Sequence, residues 1–320
     1  MDIKQLDYFV HVAELGSFTK AAALLSIAQP ALSRQVRLLE IELKQNLLYR
    51  NGRGVSMTDA GKRLIEHARG ILQQVDRARD ELGRAVGTPV GRITVAAPPS
   101  VEKFLTVPLV KSFHALFPAA SLAMIGGLSF YILEWLTTGR IDIGIAYNPV
   151  PTPAVEIIPF LEEELFLICP RHPDGKASAK AGGKSTGTGP ISLRDLPRYP
   201  LIIPSRPNAI RMRVETQLAG IGAKPEVALE IDGVPAILDL VLEGYGYAVL
   251  PMNAIRGQPA GRFVARRFSR PLTTHLTLVI PAQRPTTPLM RMTLDLIREI
   301  GPGILAPQTG TRAVAKRRRA

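Results

Sequence analysis

The sequence contains one cysteine, one tryptophan and five histidines in 320 residues. A single thiol, Cys169, cannot build an intrachain disulfide framework or a cysteine-rich zinc site, and it suits a reducing compartment. His11, His67, His114, His172 and His275 show no metal-ligand spacing with cysteine or acids. No metal and no cofactor is expected. A run of 18 consecutive apolar residues is also missing, so no transmembrane helix is expected. The opening residues, Met1-Asp2-Ile3-Lys4-Gln5-Leu6-Asp7, carry two acids and do not read as a signal peptide. Together these absences point to a cytoplasmic protein with no membrane partner.

Patterns for catalysis are missing too. No G-x-S-x-G elbow occurs. Gly244-Tyr245-Gly246-Tyr247 has Val249 where a dinucleotide fingerprint needs a small residue, so it reads as a turn into a strand. Gly183-Lys184-Ser185 has Ser178 where a phosphate loop needs glycine. No catalytic residue is assigned, and enzyme activity is not expected. Cys169 reads as a buried hydrophobe at the end of an apolar strand.

At 46% hydrophobic and 21% charged, the chain can bury a substantial core. Its length suggests two or three domains. The net charge of +13 favours an acidic partner. The first sixty residues nevertheless hold seven Lys/Arg against six Asp/Glu, so bulk charge does not locate the contact. The final stretch, 304–320, reads as a basic disordered tail ending in Lys316-Arg317-Arg318-Arg319.

The strongest pattern lies at the start. Leu6, Phe9, Val10 and Ala13 have helical spacing. Gly16 breaks it as a left-handed cap, and Ser17 suits the N-cap of a second, Ala-rich helix over about Phe18–Leu25. A third helix begins near Gln29, with Pro30 in its first turn. Leu32, Val36, Leu39 and Leu43 form its buried stripe. Gln29, Ser33, Arg34 and Arg37 fall off that stripe. They offer an amide, a hydroxyl and two guanidiniums, the groups that read base edges and grip phosphates in a major groove. A hairpin follows, turning at Asn51-Gly52, with Arg50 and Arg53 beside the turn. These arginines would lie on the DNA backbone or in the minor groove.

LDYFVHVAELGSFTKAAALLSIAQPALSRQVRLLE followed by LLYRNGRGVSMTDAG resembles the winged helix-turn-helix of LysR-type transcriptional regulators, without a gap over about sixty residues. Within that family it is similar to the group of nitrogen assimilation control regulators. The resemblance implies binding to double-stranded promoter DNA and assembly with further copies of the chain as a dimer or tetramer. It also implies a small-molecule effector and a change in DNA bending or RNA polymerase contact.

After Thr58 and Asp59, a helix is expected to carry Leu64, Ala68, Ile71, Val75, Ala78 and Leu82 at alternating spacings of four and three, continuing to Ala85. That strip reads as a dimerisation seam. Gly87-Thr88-Pro89 ends it.

From Gly91 on, strands and helices alternate. This indicates an α/β unit with largely parallel sheets. The expected organisation is a DNA-binding domain over 1–59, a linker helix and hinge over 60–88, and an effector domain over 89–303. The resemblance implies a fold like periplasmic binding proteins, with one subdomain at about 91–162 and 266–300 and the other at about 163–265. Ligands of α/β sheets bind beyond the carboxyl ends of strands, near helix N-termini. Ser100, Ser129, Tyr147, Ser205 and Arg206 occupy such places, and the serines match positions that often hold small hydroxyl residues in the family. Each serine could instead be a plain N-cap, and Arg206 could pair with a carboxylate ligand or be a surface charge. Asp174–Pro190 reads as a low-complexity surface loop.

Two other readings stay open: a small-molecule receptor whose N-terminal helices serve only assembly, and a cytoplasmic enzyme with a DNA-binding appendage. The missing signal peptide argues against the first, and the lack of a catalytic constellation argues against the second.

Overall fold

The α1 helix (Ile3–Leu15) begins at a capping box. The Asp2 carboxylate accepts from the Gln5 amide, and the Gln5 side chain accepts from the Asp2 amide. Gly16 ends it at φ +60°. Ser17 then caps α2 (Phe18–Leu24), accepting from the Lys20 amide. The third helix, α3 (Gln29–Leu43), starts with Pro30 and ends at Lys44 in the left-handed region. Leu32, Val36 and Leu39 are fully buried against Leu6, Phe9 and Val12 of α1. Strands β1 (Leu48–Asn51) and β2 (Gly54–Met57) form an antiparallel hairpin. The Val55 amide donates to the Gly16 carbonyl at 2.9 Å and ties this wing to the α1–α2 turn. Next, α4 (Asp59–Leu82) begins where the Thr58 hydroxyl accepts from the Gly61 amide at 3.0 Å.

This is a computed structural model, and it describes residues 1–51, 54–82, 89–171, 189–306 and 311–313. The Gly183-Lys184-Ser185 triplet and most of the 174–190 loop lie outside the described residues. The expected tail over 304–320 instead begins inside a helix that runs to Leu305, and it contains a strand at Thr311–Ala313; its remaining part from 314 on lies outside the described residues.

The remaining chain alternates as its apolar runs suggest. Its first part comprises β3 (Gly91–Ala97), α5 (Pro99–Leu116), β4 (Ala120–Gly126), α6 (Ser129–Thr138), β5 (Ile143–Tyr147) and β6 (Val155–Pro170). After a 3-10 turn at Leu193–Arg198 come β7 (Leu201–Ile203), α7 (Ala209–Ala219), β8 (Val227–Glu230), α8 (Val234–Leu242), β9 (Ala248–Pro251), α9 (Met252–Ile255) and β10 (Phe263–Arg266). The described chain closes with β11 (Leu272–Pro281), α10 (Pro288–Leu305) and β12 (Thr311–Ala313).

The expectation of largely parallel sheets needs correction. The eight-stranded sheet follows the order β10-β6-β11-β5-β3-β4, with β9 and β12 also paired to β6. Only the β3–β4 and β3–β5 pairs in it are parallel, and a separate β7–β8 pair is parallel. The cause is β6, which runs sixteen residues where Glu164–Ile168 alone reads as a strand. Its first part pairs with β11 and its last part with β9 and β10, all antiparallel. Two long strands thus carry the chain in opposite directions between two packing centres. One centre gathers Leu105, Phe113, Ile145, Leu278 and Ile297. The other side of β6 gathers Leu167, Val214 and Tyr247 on one face and Ile168, Ile237 and Leu250 on the opposite face.

Gly244 has φ +83°, and the Tyr247 amide donates to the Pro200 carbonyl at 2.8 Å, so the Gly244–Tyr247 segment is a turn into β9. Cys169 is fully buried in β6, and burial pushes its thiol up to about 12, which leaves no thiolate at neutral pH.

Candidate DNA-binding face and effector cleft

The buried stripe of α3 turns its opposite side outward. Gln29, Pro30, Arg34 and Arg37 are exposed together at its N-terminal end. Ser33 is half-buried and is already engaged, because the Arg50 guanidinium donates to its hydroxyl at 2.9 Å. Arg50 also lies over the Phe18 ring at 4.5 Å and faces Glu40 at 3.6 Å. It therefore locks the wing onto α2 and α3 as well as presenting positive charge. Arg53 lies outside the described residues.

Glu40 escaped the sequence reading. It is nearly fully buried, and one carboxylate oxygen accepts from both the Leu47 and Leu48 amides at 2.9 and 3.2 Å. It fixes where the wing leaves the helix. A glutamate on the buried side of an amphipathic helix, just before a strand, was the available signal.

The expected seam on α4 is divided. Ala68 is fully buried within this chain, and Leu64 and Ile71 pack against the core formed by α1 and α3. Ala68 is therefore enclosed by this chain, while Leu64 and Ile71 are half-buried and keep part of their surface exposed. Val75 is half-buried and Ala78 exposed. The Leu82 side chain lies outside the described part.

The same helix docks on the α/β unit. Arg140, just after α6, donates to Glu66 at 2.8 Å. Glu66 also accepts from Arg69, which reaches Glu14 of α1 at 2.7 Å. Gln73 donates to the Thr94 hydroxyl at 3.1 Å. One polar chain therefore joins α1, α4 and α6.

The far end of α6 opens on a cleft. A cavity of about 460 Å³ is lined by residues of α6, the β5 end and α7, among them Ser129, Phe130, Tyr147, Asn208 and Arg213. A deeper recess of about 160 Å³ shares Ser129, Tyr147 and Asn208, and adds Ser100 and Asp232. Ser100, Ser129 and Tyr147 are thus brought together. Ser100 and Ser129 are not N-caps; Pro98 and Leu128 hold those positions. Ser129 instead accepts from the Tyr147 amide at 2.9 Å. The Tyr147 hydroxyl donates to buried Glu163 at 2.7 Å, and Asn253 donates to the other Glu163 oxygen, also at 2.7 Å.

Two of the expected effector residues are engaged with other side chains. Ser205 does not line the cavity; its hydroxyl and amide both donate to Asp232 and hold that carboxyl below its ordinary value. Arg206 is exposed and pairs with Glu215 at 2.8 Å, as the surface-charge alternative has it. Pro207 lines the cavity. What the sequence reading missed is Arg213. Ala209, Met212, Arg213 and Thr216 all line the cavity. Their spacing is that of one helix face, a signal available once α7 is recognised. Among the described residues, no group of three or more His, Cys, Asp or Glu could hold a metal ion, and no helix is long and apolar enough to cross a membrane.

A winged helix-turn-helix, a long connecting helix and a two-centred α/β unit with a cleft define a DNA-binding regulator with a ligand-binding module. Residues 3–62 match the bacterial regulatory helix-turn-helix protein model of the lysR family, and residues 87–301 match the LysR substrate binding domain model. The chain belongs to the LysR family of DNA-binding transcriptional regulators and carries that family's effector-binding domain. It is 30% identical over 306 residues to the nitrogen assimilation regulatory protein nac of Escherichia coli (strain K12), covering 94% of this chain and 95% of that protein. It is 28% identical to the protein of the same name from Klebsiella aerogenes, covering 93% and 94%. Its fold is like that of CbnR, a LysR family transcriptional regulator, with a TM-score of 0.68 at 24% identity over 93% of this chain and 99% of that one. CbnR complexed with its target DNA gives a TM-score of 0.65.

Proposed function

We propose that the protein binds promoter DNA as a homo-oligomer, dimer or tetramer, and changes its grip when a small molecule enters the cleft. Gln29 and Arg34 read base edges, Arg37, Arg50 and Arg53 hold the backbone, and Pro30 and Ser33 shape the start of the helix between them. Ser100, Ser129 and Tyr147 contact the effector. The observation that carries this reading is a continuous one: α6 has Ser129 at the cleft, and Arg140 just after it donates to Glu66 of the linker helix. The domain limits are 1–59, 60–88 and 89–303, with the effector domain divided at about 163 and 265. Contact with a second copy falls to α4 from Val75 onward. The protein acts in the cytoplasm, without catalysis, and reaches RNA polymerase when bound beside a promoter. Similarity to nitrogen assimilation regulatory proteins makes genes of nitrogen metabolism the first targets to compare.

The test is enrichment of sheared genomic DNA by the full chain at stated salt. Sites of two-fold symmetry are expected. Equal recovery by a Gln29→Ala/Arg34→Ala protein would overturn the reading.

A further inference from the structure

The cleft wall is mostly apolar: Phe130, Leu133, Val150 and Met212 contribute side chains to it. It has two charged residues among those described, Arg213 and Asp232. Asp232, an anion that accepts from Ser205, lines only the recess and not the larger cavity. Arg213 is half-buried and has no carboxylate within ion-pair distance among the described residues. Its Nε donates to the Thr273 carbonyl at 2.9 Å, which fixes the guanidinium while leaving both terminal amines unspent. Asn208 uses its amide oxygen to cap α7 and keeps its amide hydrogens. Ser129 accepts from Tyr147 and keeps its hydroxyl hydrogen. In the larger cavity the one formal charge among the described lining residues is the Arg213 cation, and Asn208 and Ser129 set free donors beside it. An apolar wall around one oriented cation selects a particular chemistry.

We propose that Arg213 anchors the anionic head of an effector whose body is apolar, a single-headed organic acid rather than a sugar, a cation or a multiply charged nucleotide. Asn208 and Ser129 complete the donor set, and the carbon skeleton lies along Phe130, Leu133 and Met212. This rests on the reading of the cleft as the effector site. It replaces Arg206, which lies outside the cavity, by a residue within it.

Two fluorescent probes of nearly the same shape separate the contributions. 1-Anilinonaphthalene-8-sulfonate has an apolar ring system and one anionic head; N-phenyl-1-naphthylamine lacks the sulfonate. Arg213→Gln in the full chain is expected to weaken the sulfonate probe by about ten- to a hundredfold. The neutral probe should be nearly unaffected, and Arg213→Lys should restore part of the loss. Loss of both probes together in Arg213→Gln, or loss of neither, overturns the proposal. A helix that merely lost its Thr273 tether would not tell the two probes apart. Ser129→Trp fills the cavity and is expected to exclude both probes, with Ala209→Phe as a second occluding variant. If folded occluded proteins still bind both, it is the cleft reading itself that fails.

Discussion

Gly70 of the linker helix lies directly under the carbonyl of Thr138 at the end of α6, where an added Cβ would stand 1.8 Å from that oxygen. No side chain fits between the two backbones. Alanine would favour the helix itself by about 1 kcal/mol, but the docked arrangement would have to open. Gly70→Ala is therefore expected to keep α4 helical and to release the α/β unit from it. Spin labels on α4 and α6 should show one narrow distance distribution in the natural protein and a broad one in the variant. An unchanged distribution would mean the contact is incidental. The natural contact joins the linker helix to the end of α6 opposite Ser129, which lines the cleft.

Arg34 and Arg50 should fail in different ways. Arg34 is exposed with no ion-pair partner among the described residues. Arg34→Ala is expected to leave folding unchanged and to cost about 1–3 kcal/mol of discrimination between cognate and altered sites. Arg50 has the Phe18 ring beneath it and Ser33 and Glu40 beside it. Arg50→Ala should weaken binding to all sequences alike, flatten its salt dependence, and loosen the wing. Competition binding over a range of salt, with thermal melting alongside, separates the two patterns.

The recognition helix was legible because its constraints are local. Pro30, the Leu32-Val36-Leu39 stripe and the Ser17 cap each act within a few residues. β6 was not legible in full, because Pro159 and the acidic run Glu162-Glu163-Glu164 hide a strand whose partners lie about a hundred residues away. The partners of Ser205 and Arg206, Asp232 and Glu215, are nearer, 27 and nine residues along the chain, but no local pattern announces them. The Leu64-Ala68-Ile71 strip shows a different limit: a spacing does not say which helix packs on it, and within this chain Ala68 is enclosed while Leu64 and Ile71 are half-buried.

Glu40 gives a test of what holds the wing. Removing its carboxylate leaves the Leu47 and Leu48 amides buried without their acceptor. An unmet buried donor costs about 1–3 kcal/mol. Glu40→Ala is expected to destabilise the DNA-binding domain by that order and to speed hydrogen exchange at both amides in the full chain. Glu40→Gln, which keeps one acceptor oxygen, should recover most of the protection. If exchange at Leu47 and Leu48 is unaltered in Glu40→Ala, the wing is held by the hairpin alone.

Glu163 is the buried carboxyl that accepts from Tyr147 of the cleft wall. Burial pushes its carboxyl above the ordinary value, against the hydrogen bonds from Tyr147 and Asn253 that lower it. A carboxyl whose folded-state value is raised binds its proton more tightly folded than unfolded. Its contribution is then fully present below the ordinary carboxylate range and is lost as pH rises through the folded-state value. Stability should fall across that window and level off above it. Glu163→Gln offers an amide in place of the protonated acid, with its oxygen accepting from Asn253 and its NH₂ turned to the Tyr147 oxygen. The variant is expected to melt at a temperature that changes less over the same pH window, and to gain on the natural protein as pH rises. Melting curves from mildly acidic to neutral pH check this. Parallel curves for the two proteins would show that the buried carboxyl does not titrate in this range.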